Sequence, residues 1–70
     1  MSKITVRTKK GSFEVEATAI AGRFWVGERF GMFAVYEREK DDPDFFACVM
    51  ACQDRPEAER TARMLARLYK

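Results

Sequence analysis

Histidine is absent from this chain. That removes the commonest general base, and with it the usual activator of a nucleophilic serine or cysteine. Cysteine occurs twice, at Cys48 and Cys52, too few N and S ligands for a zinc site. Glycine is sparse, and Gly22, Gly27 and Gly31 match neither a dinucleotide fingerprint nor a Walker loop. Asp41, Asp42 and Asp44 are loosely grouped, but a calcium loop needs more oxygen ligands and a closing glutamate. Long apolar runs are missing as well, so nothing approaches the roughly 20 residues of a membrane span. The expectation is a protein that is not an enzyme, holds no metal or cofactor and does not enter a membrane. Two cysteines without a signal peptide suggest reduced thiols in a cytoplasmic setting.

What remains is the composition of a folded domain: 47% hydrophobic and 34% charged residues, with a net charge of +2. Seventy residues make one small domain, residues 1–70. A chain of this size buries only about 60% of its unfolded surface, so its stability is thin without a staple. Charge is unevenly placed. Residues 37–44 carry five acidic and two basic groups, whereas 1–36 carry six basic and three acidic, and 45–70 five basic and three acidic. An acidic tip between two mildly basic segments is a weak footprint for nucleic acid.

The clearest element is the tail, Asp54 to Lys70. Asp54 is placed to cap a helix, with Glu57 completing a capping box and Pro56 in the first turn. Ala58, Ala62, Leu65 and Tyr69 recur at helical spacing on one side, and Arg60, Arg63, Arg67 and Lys70 fall opposite. Glu59 and Arg63 form a favourable i,i+4 pair. A helix this short needs a surface to pack on.

The N-terminal segment supplies part of that surface. Ile4, Val6 and Thr8 alternate with polar residues, and so do Phe13, Val15, Ala17 and Ala19. A two-residue loop at Lys10-Gly11 joins them into a hairpin that pairs Val6 with Val15 and sets Arg7 opposite Glu14. A short strand near Arg23–Val26 follows, then a turn, then a strand at Met32–Glu39. Phe45–Gln53 is apolar on both faces. A covered strand fits it better than a helix, because the 40–44 turn joins it neatly to the preceding strand. Cys48 and Cys52 would then lie about 13 Å apart, too far for a mutual disulfide, and read as buried inert thiols.

The fold expected is therefore α+β. It is a small antiparallel sheet of four or five strands with an N-terminal hairpin, and one C-terminal amphipathic helix packed on one face. Counting faces adds a functional clue. One helix covers one face, yet the last two strands are apolar on both, leaving a surplus apolar patch of the kind that marks contact surfaces.

Gly22–Gly31 concentrates three aromatics and two arginines. Arg23, Phe24, Trp25, Arg29 and Phe30 are the candidate protein-binding residues, since tryptophan and arginine dominate interface energetics. The leading expectation is a non-enzymatic protein-binding module that occupies a partner's surface, the partner being another protein or a second copy. The alternative is nucleic-acid binding through the basic helix face, Arg60, Arg63, Arg67 and Lys70, with help from Arg23 and Arg29.

The tail Asp54-Arg-Pro-Glu-Ala-Glu-Arg-Thr-Ala-Arg-Met-Leu-Ala-Arg-Leu, after a short sheet, resembles the end of the arm-type DNA-binding domains of phage integrases. That resemblance implies a three-stranded sheet that reads DNA. The acidic 37–44 tip departs from it, since carboxylates repel phosphate. Small size and the lack of motifs also suit phage or mobile-element accessory proteins, including inhibitors of the anti-CRISPR kind.

Overall fold

The computed structural model describes residues 2–69. Five strands, β1 (Ser2–Thr8), β2 (Gly11–Ala21), β3 (Phe24–Arg29), β4 (Met32–Arg38) and β5 (Phe45–Cys52), precede one helix, α1 (Arg55–Leu68). Each strand pairs antiparallel with the next, and β5 returns to β1 in parallel, Thr5 with Phe45 and Val6 with Phe46. The result is a closed barrel with the helix on its outer wall. No helix among the described residues is long and apolar enough to cross a membrane.

Closure corrects the expected open sheet, and the reason lies in the two apolar faces of β3–β5. The inner face fills the barrel, where Ile4, Val6, Val15, Ala34, Tyr36 and Phe46 pack with the half-buried Phe13 and Trp25. The outer face meets the helix, where Phe24, Val26, Val35 and Cys52 pack against Ala58 and Ala62. Strand β3 serves both cores by simple alternation, Phe24 and Val26 outward and Trp25 inward. Most of the surplus apolar patch is thus internalised by curling the sheet. Each large side chain fully removed from water stabilises the fold by about 1.5–3 kcal/mol.

The first hairpin forms with its faces as expected but its register moved by two. The turn is Lys9–Lys10, with Thr8 opposite Gly11, Val6 opposite Phe13 and Ile4 opposite Val15. Thr8 closes this turn: Lys10 N–H donates to Thr8 Oγ1 at 3.2 Å, and the hydroxyl donates to the Gly11 carbonyl at 2.9 Å. A two-residue slip keeps every side chain on its own face, so the hydrophobic pattern cannot detect it. Arg7 therefore does not face Glu14. Its guanidinium lies over the Phe45 ring and bonds Asp42 Oδ2 at 2.7 Å, which fastens β1 to the loop before β5.

Two bulges bend the wall. Ile20 lies between the paired Ala19 and Ala21, and Val49 between the paired Cys48 and Met50. The first turns Ile20 towards the helix-side core and leaves Ala19 exposed, against its expected place in the hydrophobic face. Strand β3 runs to Arg29, past its expected end at Val26. The strand reading of Phe45–Cys52 holds, although Cys48 is exposed and only Cys52 is buried. On α1, Asp54 Oδ1 accepts the Glu57 N–H at 2.9 Å as the cap requires. Arg55 bonds Glu59 at 3.0 Å and reaches Thr18 Oγ1 at 3.4 Å, tying the first helical turn to β2.

Gly27 is the tightest point in the wall. A Cβ there would lie 2.9 Å from the Glu16 carbonyl oxygen and 3.0 Å from Tyr36 Cε2. The carbonyl belongs to a paired strand and cannot yield cheaply. Gly27→Ala is expected to cost about 1–3 kcal/mol through overpacking. In a chain of this length each kcal/mol lowers Tm by roughly 4–8 °C, and a thermal melt of the variant reads it directly.

Candidate protein-interaction surface

The barrel has two ends of different character. The Lys9–Lys10 turn, the Phe30–Gly31 turn and the C-terminal half of β5 lie at one end. The loop after Ala21 and the acidic 39–44 loop lie at the other. The five aromatic and arginine residues between Gly22 and Gly31 are divided between these ends and the core.

Phe24 is 2% exposed and belongs to the helix-side core, so it has no surface to offer a partner. Trp25 is half-buried in the barrel, its ring 5.3 Å from that of Phe46 in an edge-on arrangement. Arg38 lies over both rings and covers them from solvent. Arg23 is engaged in an ion pair with Glu37, and its guanidinium sits over Phe24. Phe24, Trp25 and Arg23 thus serve the fold at the acidic end, with Arg38 as the cover over Trp25.

Arg29 and Phe30 are different. Phe30 is 88% exposed at the tip of the β3–β4 hairpin. Its backbone φ is +54° and that of Gly31 is +75°. Positive φ at both positions of a two-residue loop is the pattern of a type I′ turn, which favours Asn-Gly and suits phenylalanine poorly. A bulky L-residue in the left-handed region costs about 1–2 kcal/mol. The ring is nevertheless held in place. The Arg29 guanidinium carbon lies 3.7 Å from the Phe13 ring centre and 4.7 Å from that of Phe30. Phe13 anchors the stack from within the barrel, and Arg29 joins it to the exposed ring.

Around this tip the sequence leaves further apolar surface. Met32, the pairing partner of Arg29, is exposed, as are Cys48, Val49, Met50 and Ala51 along β5. Met32, Cys48, Val49 and Met50 belong to the surplus apolar faces of the last two strands that the sequence marks as a contact surface, although the pattern does not say which of those residues stay exposed. Phe13, Met32 and Met50 resemble core residues in any hydrophobic pattern, and only the curvature of the wall decides which of them reaches the surface.

Cys48 is exposed as a residue, yet partial desolvation raises its thiol above the usual value, opposed by a backbone hydrogen bond from Met50 and reinforced by nearby Cys52. Burial also raises the Tyr36 phenol, with Cys48 adding to the effect and Arg29 opposing it. Among the described residues no three His, Cys, Asp or Glu side chains gather closely enough to hold a metal ion. No cavity opens among them either.

The basic helix face is exposed at Arg60, Arg63 and Arg67, with Met64 and Leu68 exposed beside them. Arg63 lies 3.8 Å from Glu59, the pair expected from the spacing. Lys70 falls outside the described residues. No protein-family model, curated protein or solved structure matches the chain.

Two measurements follow from this geometry. Phe30→Asn should hold or raise the Tm, by up to about 5 °C, because relief of backbone strain outweighs a stack worth ~0.5–1 kcal/mol. A fall of that size would show that Phe30 serves the fold. Alkylation of Cys48 by iodoacetamide should be slower than that of free cysteine at pH 7.5, and its rate should still be rising above about pH 8.5.

Proposed function

We propose that this protein is a non-enzymatic binding module that acts by occupying the surface of another protein. Its contact surface would be the barrel end that presents Phe30. The observation that carries this reading is the conformation of Phe30, a large apolar ring held almost fully in water at a backbone geometry it adopts poorly. Neither property helps the fold, and residues kept under such strain cluster where the strain serves binding. A ring whose direction is favoured by a cation–π stack loses less side-chain freedom on docking than an unstacked one. A protruding aromatic beside Arg29 and Met32 has the composition of an interface anchor.

An accessory protein that blocks a larger assembly would need no more than this. The reading does not use Phe24, Trp25 or Arg23. Trp25→Ala is a poor test of binding, since it removes a ring packed in the barrel at a cost of about 3–5 kcal/mol. Nucleic-acid binding through Arg60, Arg63 and Arg67 rests on their exposure alone.

The test is affinity capture from cells of the source organism with immobilised wild-type and Phe30→Asn protein, followed by quantitative mass spectrometry. The expected outcome is at least one protein retained by the wild type and depleted by about tenfold or more on the variant, the loss seen at an interface hot spot. Identical profiles from the two folded proteins would remove Phe30 as the anchor.

A further inference from the structure

The second half of β5 is an open edge. Strand β5 is in register with β1 only at Phe45 and Phe46. Beyond that seam Ala47, Cys48, Met50, Ala51 and Cys52 pair with β4 alone among the described residues. Alternate backbone N–H and C=O groups of this stretch therefore face away from β4 with no strand to receive them. Edges are normally blunted by charge or proline, yet residues 45–53 contain neither. Cys48, Val49, Met50 and Ala51 are all exposed. The bulge at Val49 twists the strand, but regular pairing resumes at Met50.

Lysines border this edge, with Glu28 beside Arg29 and Glu57 in the first turn of α1 as the acidic side chains at the same end. Strands β1 and β5 run the same way from their seam, so the Lys9–Lys10 turn lies at the barrel end reached by Cys48–Ala51. Arg29 stands at that same end on the neighbouring hairpin. Asp54, the acidic residue that follows β5, is occupied in capping the helix.

We propose that this edge accepts an extended, acidic polypeptide segment as an added strand, with Lys9 and Lys10 drawing its carboxylates. The inference rests on the protein-binding reading above, and adds the conformation and charge of the partner. Strand addition draws affinity from backbone pairing and specificity from alternate side chains. Met50, opposite the outward Val35, would meet one side of the incoming strand, Cys48 and Ala51, opposite the inward Tyr36 and Ala34, the other, and the lysines its acidic positions. A second copy of this chain fits less well, because it would bring two Lys9–Lys10 turns together. Nucleic acid has no backbone N–H to extend a sheet.

The full chain is panned against a phage-displayed library of random peptides, and enriched peptides are synthesised with a fluorescent label for anisotropy titrations. Enriched sequences should be acidic and rich in β-branched residues, and their binding should weaken with added salt. They should slow amide hydrogen exchange at residues 47–52. Val49→Lys should weaken them by about tenfold or more, as a charge placed to guard an edge does. Lys9→Glu combined with Lys10→Glu should also weaken them and flatten the salt dependence. All three positions are exposed, and an unchanged Tm shows that each variant is folded.

The proposal is overturned by a selection that enriches nothing, by enriched peptides without an acidic excess, or by binding that leaves β5 exchange and the Val49→Lys variant unaffected. Labelled oligo-dT that binds and is released by the same variants would also overturn it, and would assign the surface to nucleic acid. Failure with peptides while captured proteins are still lost on Phe30→Asn would remove strand addition and leave the protein-binding reading standing. Peptides that bind as described while capture is unchanged by Phe30→Asn would support strand addition and remove the anchor.

Discussion

Everything in this fold follows from strands that are apolar on both faces. A strand with one apolar face is satisfied by one covering layer. Here β3 and β4 carry two, and a chain of 70 residues has only one helix to spare. Curling the sheet until β5 meets β1 resolves the conflict, because the sheet then covers its own inner face. The helix takes the outer face, and two small cores share one wall. Gly27 marks how closely that wall is drawn, with Tyr36 and the backbone of β2 filling the space that a side chain would need.

Economy of this kind makes the exceptions informative. Many large side chains fall in one core or the other, but Met32, Val49, Met50, Met64, Leu68 and Tyr69 stay exposed, and Phe30 is the most exposed of all among the described residues. Phe30 also sits in a turn of a type that would be more stable with asparagine. The cation–π stack with Arg29 and Phe13 does not bury it, but fixes its direction. The barrel end with Phe30, Met32 and the open half of β5 therefore combines exposed apolar side chains with unpaired strand edge. The opposite end is closed by Arg38 over Trp25 and Phe46, and by the Arg23–Glu37 pair.

Much of the local structure was legible in the residues. The helix with its Asp54 cap, the N-terminal hairpin, and the strands around Met32 and Phe45 all follow from period and turn chemistry. Closure was not legible, because a sheet covered by a partner and a sheet covered by itself have the same pattern. The hairpin register escaped for a related reason, since a slip of two preserves both faces. Among the candidate contact residues, Phe24 and Phe30 look alike in composition and differ only in place. Phe24 falls on an outward-facing strand position under the helix, and Phe30 on a turn. Exposure at Val49 and Met50 goes with a bulge and the end of the β1–β5 pairing, which leave no local signature, and Met32 borders the Phe30–Gly31 turn.

The barrel is locked by very little. Its parallel seam joins Thr5 and Val6 to Phe45 and Phe46, residues about forty apart in the chain, whereas every other strand pair is joined by a short turn or loop. Loop-closure entropy makes such a contact the slowest to form. The meander from β1 to β5 is able to assemble by local steps, and the seam then closes over the Arg7–Asp42 bond. Parting of β1 from β5 would break only two residue pairs of the ladder, lengthen the edge of β5 and open the barrel interior without disturbing a residue of the helix-side core.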